Sequence, residues 1–215
     1  SGTSSNLWIE YNDAYADYID VTATVDITLG EVDMAADGYA YFGIYDNNVD
    51  SGENSTAEVN ITVGDLTLNS SMQSEFSIET NYVYSDANTY NSSAALNITL
   101  GAVDMTSGSD SDSYTAFEVE DMDAEAYDGG DSSQSVSIES VAIQSENYTY
   151  VYIYDSVALA NGDNSSASLN VDIGSVDISS QYGLGFGIND NDLKNANFTN
   201  IKRLFGERDK LMKTR

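Results

Sequence analysis

The segment NSSAALNITLGAVDM, residues 91–105, recurs in five versions along this 215-residue chain. The other four are DVTATVDITLGEVDM (20–34), NSTAEVNITVGDLTL (54–68), DSSQSVSIESVAI (131–143) and NSSASLNVDIGSVDI (164–178). Their first residues lie 34, 37, 40 and 33 positions apart, and the fourth version has two residues fewer, with Ser140 and Val141 where the others have an apolar residue and a glycine. A period of this length is typical of proteins built from stacked structural repeats.

The apolar residues within each version alternate and then shift by one position. In residues 91–105 the alternating set is Leu96, Ile98 and Leu100, and it resumes at Val103 and Met105. Strict alternation predicts a half-buried strand. A glycine at the shift allows a positive φ or a close approach of two backbones. Each version therefore predicts two short strands joined by a corner, and the corner glycines are Gly30, Gly64, Gly101 and Gly174.

A third predicted strand in each repeat is rich in aromatic residues. In the fourth repeat Val151 and Ile153 face one side of this strand, whereas its tyrosines face the other. A polar loop, such as DNNVDSGE before Asn54, then closes the repeat with residues that favour turns. The aromatic segments are residues 39–45, 75–84, 114–120, 148–154 and 182–188.

The predicted fold is all-β. We expect a β-solenoid of about five stacked three-strand coils, each 33–40 residues long, followed by a short C-terminal helix. Each coil of a solenoid buries its apolar side only by stacking on its neighbours. A β-sandwich is the main alternative and a β-propeller the next, since both use short strands at regular spacing. No Asn-Gly or Asp-Gly hairpin recurs at one place in every repeat, which favours the solenoid.

Charge is segregated along the chain. All seven Lys and Arg residues lie in residues 194–215, and the chain contains no His. Only Glu207 and Asp209 of the 36 acidic residues lie in that segment, so the first 193 residues carry a formal charge of −34 and the tail carries +5. Such a body is unsuited to nucleic acid, because phosphate binding depends on Lys and Arg. No run of 18 apolar residues is present, so we expect no membrane span.

These patterns divide the chain into three regions. Residues 1–19 form an N-terminal cap or assembly segment, residues 20–193 the acidic repeat domain, and residues 194–215 a basic amphipathic tail with Asn200 as a helix N-cap. The tail can cover the last coil of its own solenoid, attach to an anionic membrane surface, dock on the acidic body of another copy, or be foreign to the native protein. The residues expected to act in assembly are Trp8, Ile201, Lys202, Arg203, Leu204, Phe205, Arg208 and Leu211.

Oxygen-rich turns are candidate calcium sites. Equivalent residues of stacked strands lie about 4.8 Å apart, inside the screening length of about 8 Å in physiological salt, so aligned carboxylates repel one another. Calcium is the expected counterion, because it accepts several carboxylate and amide oxygens in flexible geometry. The segment DNNVDSGE resembles the start of a calcium loop, although it is out of register with an EF-hand and Asp and Asn are also ordinary turn residues. The candidate ligands are Asp46, Asn48, Asp50, Glu53, Asp110, Asp112, Asp128, Asp131, Asp190 and Asp192.

Eight Asn-x-Ser/Thr sequons suggest glycosylation of a secreted protein. A chain this rich in Asn, Ser and Thr contains several such motifs by chance. Three of them, at Asn54, Asn91 and Asn164, share one position of the repeat and are the candidate glycosylation sites. The chain starts at Ser1 without an apolar leader, as expected of a mature secreted product, and we expect an extracellular or cell-surface location.

The expected function is non-enzymatic. The chain lacks Cys and His and its first 193 residues lack Lys, so the usual pairs of nucleophile and base are absent there. Carboxylate pairs remain, but any one pair among so many acids is uninformative. We expect a homopolymeric structural subunit of an extracellular filament or surface layer, assembled head to tail with the basic tail on an acidic neighbour, and without an organic cofactor. The alternative is a calcium-dependent surface adhesin that binds glycans through its tyrosine rows.

Overall fold

The fold is a β-solenoid of about five coils, as predicted. The computed structural model describes residues 3–87, 91–108 and 112–189, which form 17 strands joined by turns and bends, without a helix. All strand pairs in this part of the chain are parallel, whereas a sandwich needs antiparallel hairpins. The predicted C-terminal helix lies outside the described residues. Within them, no helix has the length and apolar character needed to cross a membrane.

The strands form two sheets that enclose a common core. Sheet A has nine strands: β1 (Ser4–Glu10), β2 (Ala14–Ala16), β5 (Tyr39–Tyr45), β6 (Asn48–Ser51), β9 (Gln73–Asp86), β11 (Tyr114–Tyr127), β13 (Tyr148–Tyr154), β14 (Val157–Asn161) and β17 (Gly183–Asn189). Sheet B has eight: β3 (Thr22–Leu29), β4 (Val32–Ala36), β7 (Thr56–Val63), β8 (Leu66–Ser70), β10 (Ser93–Ser107), β12 (Asp131–Ser145), β15 (Ser166–Ile173) and β16 (Val176–Ser180).

Each coil passes first through sheet B and then through sheet A. In the first coil the chain runs through β3 and β4 and then through β5 and β6, and in later coils some strands, such as β10, continue through the corner. The main ladder of sheet A contains six strands, β1-β5-β9-β11-β13-β17, and that of sheet B contains five, β3-β7-β10-β12-β15. The N-terminal segment therefore adds a half-coil, formed by β1 and β2, to one end of sheet A.

The first coil contains one strand more than the sequence predicted. The strand β6 lies inside DNNVDSGE, which was expected to be a polar loop, because Val49 and Ser51 turn into the core between outward polar residues. Only one of these two inward residues is apolar, so the alternation is too weak to recognise in the sequence. Val49 belongs to a buried column with one small apolar residue in each coil: Ala14, Val49, Val83, Ala124 and Ala158.

The fourth coil is not shortened, so the alignment of its sequence was wrong by two residues. Asp131 pairs with Ser93 rather than with Asn91, and the fourth version of the repeat therefore begins at Gly129. Gly129 has φ of 100°, in the left-handed region that three of its equivalents also occupy. Equivalent residues of successive coils are 34, 37, 38 and 35 positions apart. The left-handed equivalents are Asp20, Asn54 and Asn164.

Phenylalanines stack through the core of sheet A. Phe42, Phe76 and Phe117 are fully buried, and their ring centroids lie 6.0 and 4.9 Å apart with nearly parallel planes. They occupy one column, which continues to Leu7 on β1 and, past Val151, to Phe186 on β17. Leu7 and Phe186 are only partly buried, because they lie at the two described ends of the column.

Close packing explains three of the corner glycines of sheet B, Gly64, Gly101 and Gly174, and none of the four corner glycines has a positive φ. A Cβ at Gly64 would lie 3.0 Å from the backbone of Gly30, and a Cβ at Gly174 would overlap the backbone carbonyl oxygen of Glu139. A Cβ at Gly30 would have free space, because Gly30 lies in the first coil of sheet B. The corrected register places Glu139 at this corner in the fourth coil.

Candidate assembly site

The N-terminal end of the solenoid exposes an edge of sheet B. Among the described residues β3 pairs only with β7, and β4 pairs only with β8. Val25, Ile27 and Leu29 on β3 are partly exposed, whereas their partners on β7 are at most 1% exposed. An uncovered strand edge with apolar side chains is a surface on which another chain can pair.

The same end is strongly acidic. The sheet B half of the first coil and its flanking turns carry five exposed carboxylates, and no cationic side chain occurs in the first 193 residues. Two of these carboxylates accept hydrogen bonds from amides of the next coil: Asn60 donates to Asp26 at 2.8 Å, and Asn54 donates to Asp20. None of the five has a cationic partner within the first 193 residues, because these contain no Lys, Arg or His. We call the five carboxylates the acidic edge: Asp20, Asp26, Glu31, Asp33 and Asp37.

The opposite end of sheet A has a glycine surface. The outermost described strand, β17, reads GLGFGIN and contains no charged residue. Gly183, Gly185 and Gly187 alternate with Leu184 and Phe186, which turn inward and are only partly buried. This end therefore also leaves apolar core residues without a full cover among the described residues.

Trp8 is the one predicted assembly residue within the described part of the chain. It lies on the outer face of β1, opposite Gly43 of β5, and it is 49% exposed. Its ring contacts Tyr41 and Tyr45 edge-on, with centroids 6.2 and 6.4 Å away. The other predicted assembly residues lie outside the described part: Ile201, Lys202, Arg203, Leu204, Phe205, Arg208 and Leu211.

The outer face of sheet A combines tyrosines with carboxylates. The Tyr114 hydroxyl donates to Glu75 Oε2 at 3.1 Å, and the Tyr82 hydroxyl donates to Glu125 Oε2 at 3.0 Å. Burial and the negative charge of Glu75 raise the pKa of Tyr114 to about 12. The tyrosines therefore stay protonated at neutral pH and act as hydrogen-bond donors to the carboxylates.

Glu79 and Glu120 form a carboxyl pair on this face. They are directly opposite each other on β9 and β11. Burial, together with the hydrogen bond to Glu79, raises the pKa of Glu120 to about 8. Burial also raises the pKa of Glu75 and of Glu118, which lie on the same two strands. This face can therefore retain protons near neutral pH, which lowers the repulsion between adjacent coils.

The predicted calcium ligands of DNNVDSGE are spread along a strand. Asn48 and Asp50 are two positions apart on the outward side of β6, so their Cα atoms are about 7 Å apart. Asp46 and Glu53 lie beyond the two ends of this strand. Burial, followed by the charges of Asp17 and Asp86, raises the pKa of Asp50. The four oxygen-bearing side chains thus do not surround one point.

The remaining predicted ligands are also separated or undescribed. Asp128 lies at a left-handed corner, and Asp131 accepts a hydrogen bond from Ser166 at 2.5 Å. Asp112 lies in a turn. Residues 3–87, 91–108 and 112–189 contain no group of three or more acidic side chains arranged to hold a metal ion. Calcium binding stays a prediction, and three of its candidate ligands lie outside the described residues: Asp110, Asp190 and Asp192.

The candidate glycosylation sites occupy the same corner in three of the coils. Asn54, Asn91 and Asn164 are all exposed, as the attachment of a glycan requires. Asn54 also donates its side-chain amide to Asp20 of the preceding coil. Glycosylation stays a prediction at these three positions.

The sequence patterns did not predict a ladder of asparagines inside the solenoid. Asn12 donates to Asn47 Oδ1 at 3.0 Å, and Asn47 donates to Asn81 Oδ1 at 2.9 Å. Asn47 and Asn81 are fully buried beside the corner of sheet A. The three asparagines are 35 and 34 residues apart, which is the repeat period, and this spacing is the signal that could have identified them.

Comparison with protein-family models, with curated proteins and with solved structures gives no match for this chain. The candidate functional surfaces are the two ends of the solenoid and the outer face of sheet A. These surfaces can form strand pairs, ionic contacts and aromatic contacts.

Proposed function

We propose that this protein is a non-enzymatic subunit of an extracellular filament or surface layer, assembled head to tail. The observation that supports the proposal is the acidic edge, in which five exposed carboxylates flank uncovered strands in a body without cationic side chains. A contact between two different ends of a molecule is heterologous. Such a contact does not close on itself when the ends lie on opposite sides, so it extends into a filament.

The basic tail is the complementary partner in this proposal. Residues 194–215 carry all seven Lys and Arg residues and a formal charge of +5. Two bodies of −34 repel each other, and a tail that docks on the acidic edge of the next copy offsets part of this repulsion at the contact. Both partners are exposed to water, so high salt is expected to weaken the docking.

Trypsin tests this role of the tail without a sequence variant. Trypsin cleaves after Lys and Arg, so it removes the residues that follow Lys194 and leaves residues 1–194 as one fragment. We expect electron micrographs to show filaments of the intact chain and dispersed particles after trypsin treatment. Filaments of unchanged length after treatment would refute the role of the tail. An intact chain that stays monomeric at every protein and salt concentration would refute the polymer.

Two variants of the basic tail test whether the tail acts in assembly through its positive charge. We expect the triple variant Lys202→Glu, Arg203→Glu, Arg208→Glu to lose assembly, because the tail then repels the acidic edge. The matched control, Lys202→Arg, Arg203→Lys, Arg208→Lys, keeps the charge and should assemble normally. Equal assembly of both variants would show that the tail does not act through its charge. Sedimentation velocity measures the fraction of polymer in each sample.

The alternative proposal is a carbohydrate-binding adhesin, supported by the exposed tyrosines of sheet A. Tyr39, Tyr148 and Tyr150 are exposed on its outer face, and Tyr150 stacks on Tyr152 at a centroid distance of 6.2 Å. Aromatic rings of this kind can stack on sugar rings. Retention on immobilised polysaccharides tests the proposal: Tyr150→Ala should reduce retention, and Tyr18→Ala, at an exposed turn tyrosine, should not. Equal retention of both variants would refute binding by this row.

A further inference from the structure

We propose that neighbouring copies join strand to strand through sheet A. In this joint β17 of one copy pairs in parallel with β1 of the next, in the register that places Gly187 opposite Trp8 of the next copy. The inference rests on the proposed head-to-tail assembly and specifies its surfaces. Among the described residues β1 pairs only with β5, and the proposed occupant of its other edge is a second copy of this chain.

The register of the joint follows from the ladder inside the molecule. Along β1, β5, β9, β11, β13 and β17 every neighbouring pair is parallel and in register over its whole length. Trp8 pairs with Gly43, and Gly187 lies in the same column at the other end. A second copy that continues this ladder repeats, between β17 and β1, the pairing that already joins β1 to β5.

The interior of the joint matches apolar residues with apolar residues. The stacked phenylalanine column ends at Leu7 on β1 and at Phe186 on β17, and both side chains are partly exposed in the single chain. Strand pairing in the proposed register brings Leu7 of the next copy against Phe186. Their burial favours association by about 25 cal/mol for each Å² of apolar surface removed from water.

On the outer face of the joint, Gly185 and Gly187 of β17 lie opposite Asn6 and Trp8 of the next copy. A Cβ at Gly183 would meet the ring of Tyr148, and a Cβ at Gly185 would meet the rings of Tyr150 and Tyr152. The tyrosines of β13 thus lean over the glycines of β17. Within the first coil the ring of Tyr41, on the same strand as Gly43, lies over Gly43, and Trp8 of β1 contacts that ring edge-on.

The charge distribution favours sheet A over sheet B as the joint. The strand β17 has no charged residue, and β1 has only Glu10. The end of sheet B carries instead the five carboxylates of the acidic edge. Repulsion between two acidic copies is therefore weakest where β17 meets β1.

The unequal ladders also leave a gap beside the acidic edge of the next copy. Sheet A has six strands in its main ladder and sheet B has five, and both described ends of the chain lie in sheet A. Pairing of β17 with β1 thus leaves a gap of about two strand spacings, or about 10 Å, between β15 and β3 of the next copy. The 26 residues after Asn189 start at this joint, and the acidic edge borders the gap.

Engineered cysteines test the joint directly, because the natural chain contains none. We would mix two full-length variants, Asn6→Cys and Gly185→Cys, and measure disulfide-linked dimers under mild oxidation. The proposed register puts these positions opposite each other, within the Cα separation of about 4.4–6.8 Å that a disulfide spans. The three atoms nearest to a Cβ at Gly185 belong to the side chains of Tyr150 and Tyr152 on β13, which can turn aside.

Two matched pairs complete the cross-linking experiment. The pair Asn6→Cys with Gly183→Cys is displaced by two residues, or about 7 Å, and we expect at least about tenfold less cross-linking from it. The pair Thr24→Cys with Ser168→Cys reports a joint through sheet B. The sheet A joint would be overturned if polymer formed with cross-links in the sheet B pair, or if it formed without cross-links in the Asn6 and Gly185 pair. Either result would leave the proposed filament function in place. Absence of both polymer and cross-links would refute both proposals.

The single tryptophan provides an independent signal. We expect the emission of Trp8 to shift to shorter wavelength on assembly, because the joint removes water from a side chain that is half exposed in the single chain. Gly187→Val should abolish this shift, whereas Thr99→Val, on the outer face of the central strand β10, should leave it unchanged. Circular dichroism confirms that each variant folds. A normal shift in folded Gly187→Val would overturn the register.

Discussion

The side-chain amide of Asn47 donates to Oδ1 of Asn81 at 2.9 Å, and both residues are fully buried. The same amide donates to the backbone carbonyl oxygen of Tyr45 at 3.1 Å, and the backbone N–H of Asn47 also donates to Asn81 Oδ1, at 3.2 Å. Asn47 thus joins two coils through atoms that have no access to water. Asn12 extends the ladder at one end, and at the other end Asn81 meets the sulfur of Met122 at 3.6 Å.

We predict that Asn47→Ala lowers the free energy of unfolding by about 2–4 kcal/mol, because it leaves several buried polar groups without partners. The neighbouring change Asn48→Ala is the matched control, since Asn48 faces outward and its side chain makes only a long hydrogen bond of 3.5 Å. Denaturant unfolding followed by circular dichroism measures both. Equal effects of the two changes would show that the ladder contributes little to stability.

Two glycines of one column should respond differently to alanine. We predict that Gly174→Ala destabilises the protein by about 2–3 kcal/mol, because its Cβ overlaps the backbone carbonyl oxygen of Glu139, which cannot turn aside. Gly30→Ala should change stability by about 0.5 kcal/mol or less, because its Cβ has free space. Thermal unfolding of the two variants provides the comparison. A stable Gly174→Ala protein would contradict the close approach of these two coils.

Stability should fall as the pH rises from about 4.5 to about 8. The pKa of Glu120 is about 8 in the folded protein, raised by burial and by its hydrogen bond with Glu79, compared with the ordinary value of 4.5. Between these values the folded state binds more protons than the unfolded state, so a rise in pH favours unfolding. Melting temperatures measured from pH 4.5 to 8 test this direction.

Glu120→Gln should flatten this pH dependence, because the amide does not titrate. Glu146→Gln, at an exposed bend, is the control and should leave the dependence unchanged. An unchanged slope in Glu120→Gln would show that the Glu79 and Glu120 pair does not control it.

Calcium should raise the melting temperature more than sodium chloride does at equal ionic strength. Any salt screens the repulsion among the 34 acidic residues of the body. Calcium should add to this the free energy of binding to several carboxylate and amide oxygens at once. Differential scanning calorimetry with calcium, with a chelator and with matched sodium chloride separates the two effects. Equal melting temperatures in calcium and in matched sodium chloride would contradict specific calcium binding and leave only screening.

Much of the fold could be predicted from the sequence. The alternation of Leu96, Ile98 and Leu100 and the recurrence of the segment every 33–40 residues determine that strands form and that they stack, because each repeat has one apolar side to bury. The segregation of all Lys and Arg into residues 194–215 likewise predicts an acidic body and a cationic tail without any structure. These are local or compositional properties of the chain.

Only the tertiary structure decided the register and its consequences. Sequence similarity placed Asp131 opposite Asn91, whereas the hydrogen-bonded ladder places it opposite Ser93. The pairing of two strands depends on the backbone path through the corners as well as on the identity of the side chains. The burial of Asn47, the contact of Glu79 with Glu120 and the open edge of β3 depend on this stacking. The two contacts join residues separated by 34 positions or more, and the open edge concerns a strand that lacks a neighbour. Such relationships exist only once the coils are stacked, so no local pattern of residues encodes them.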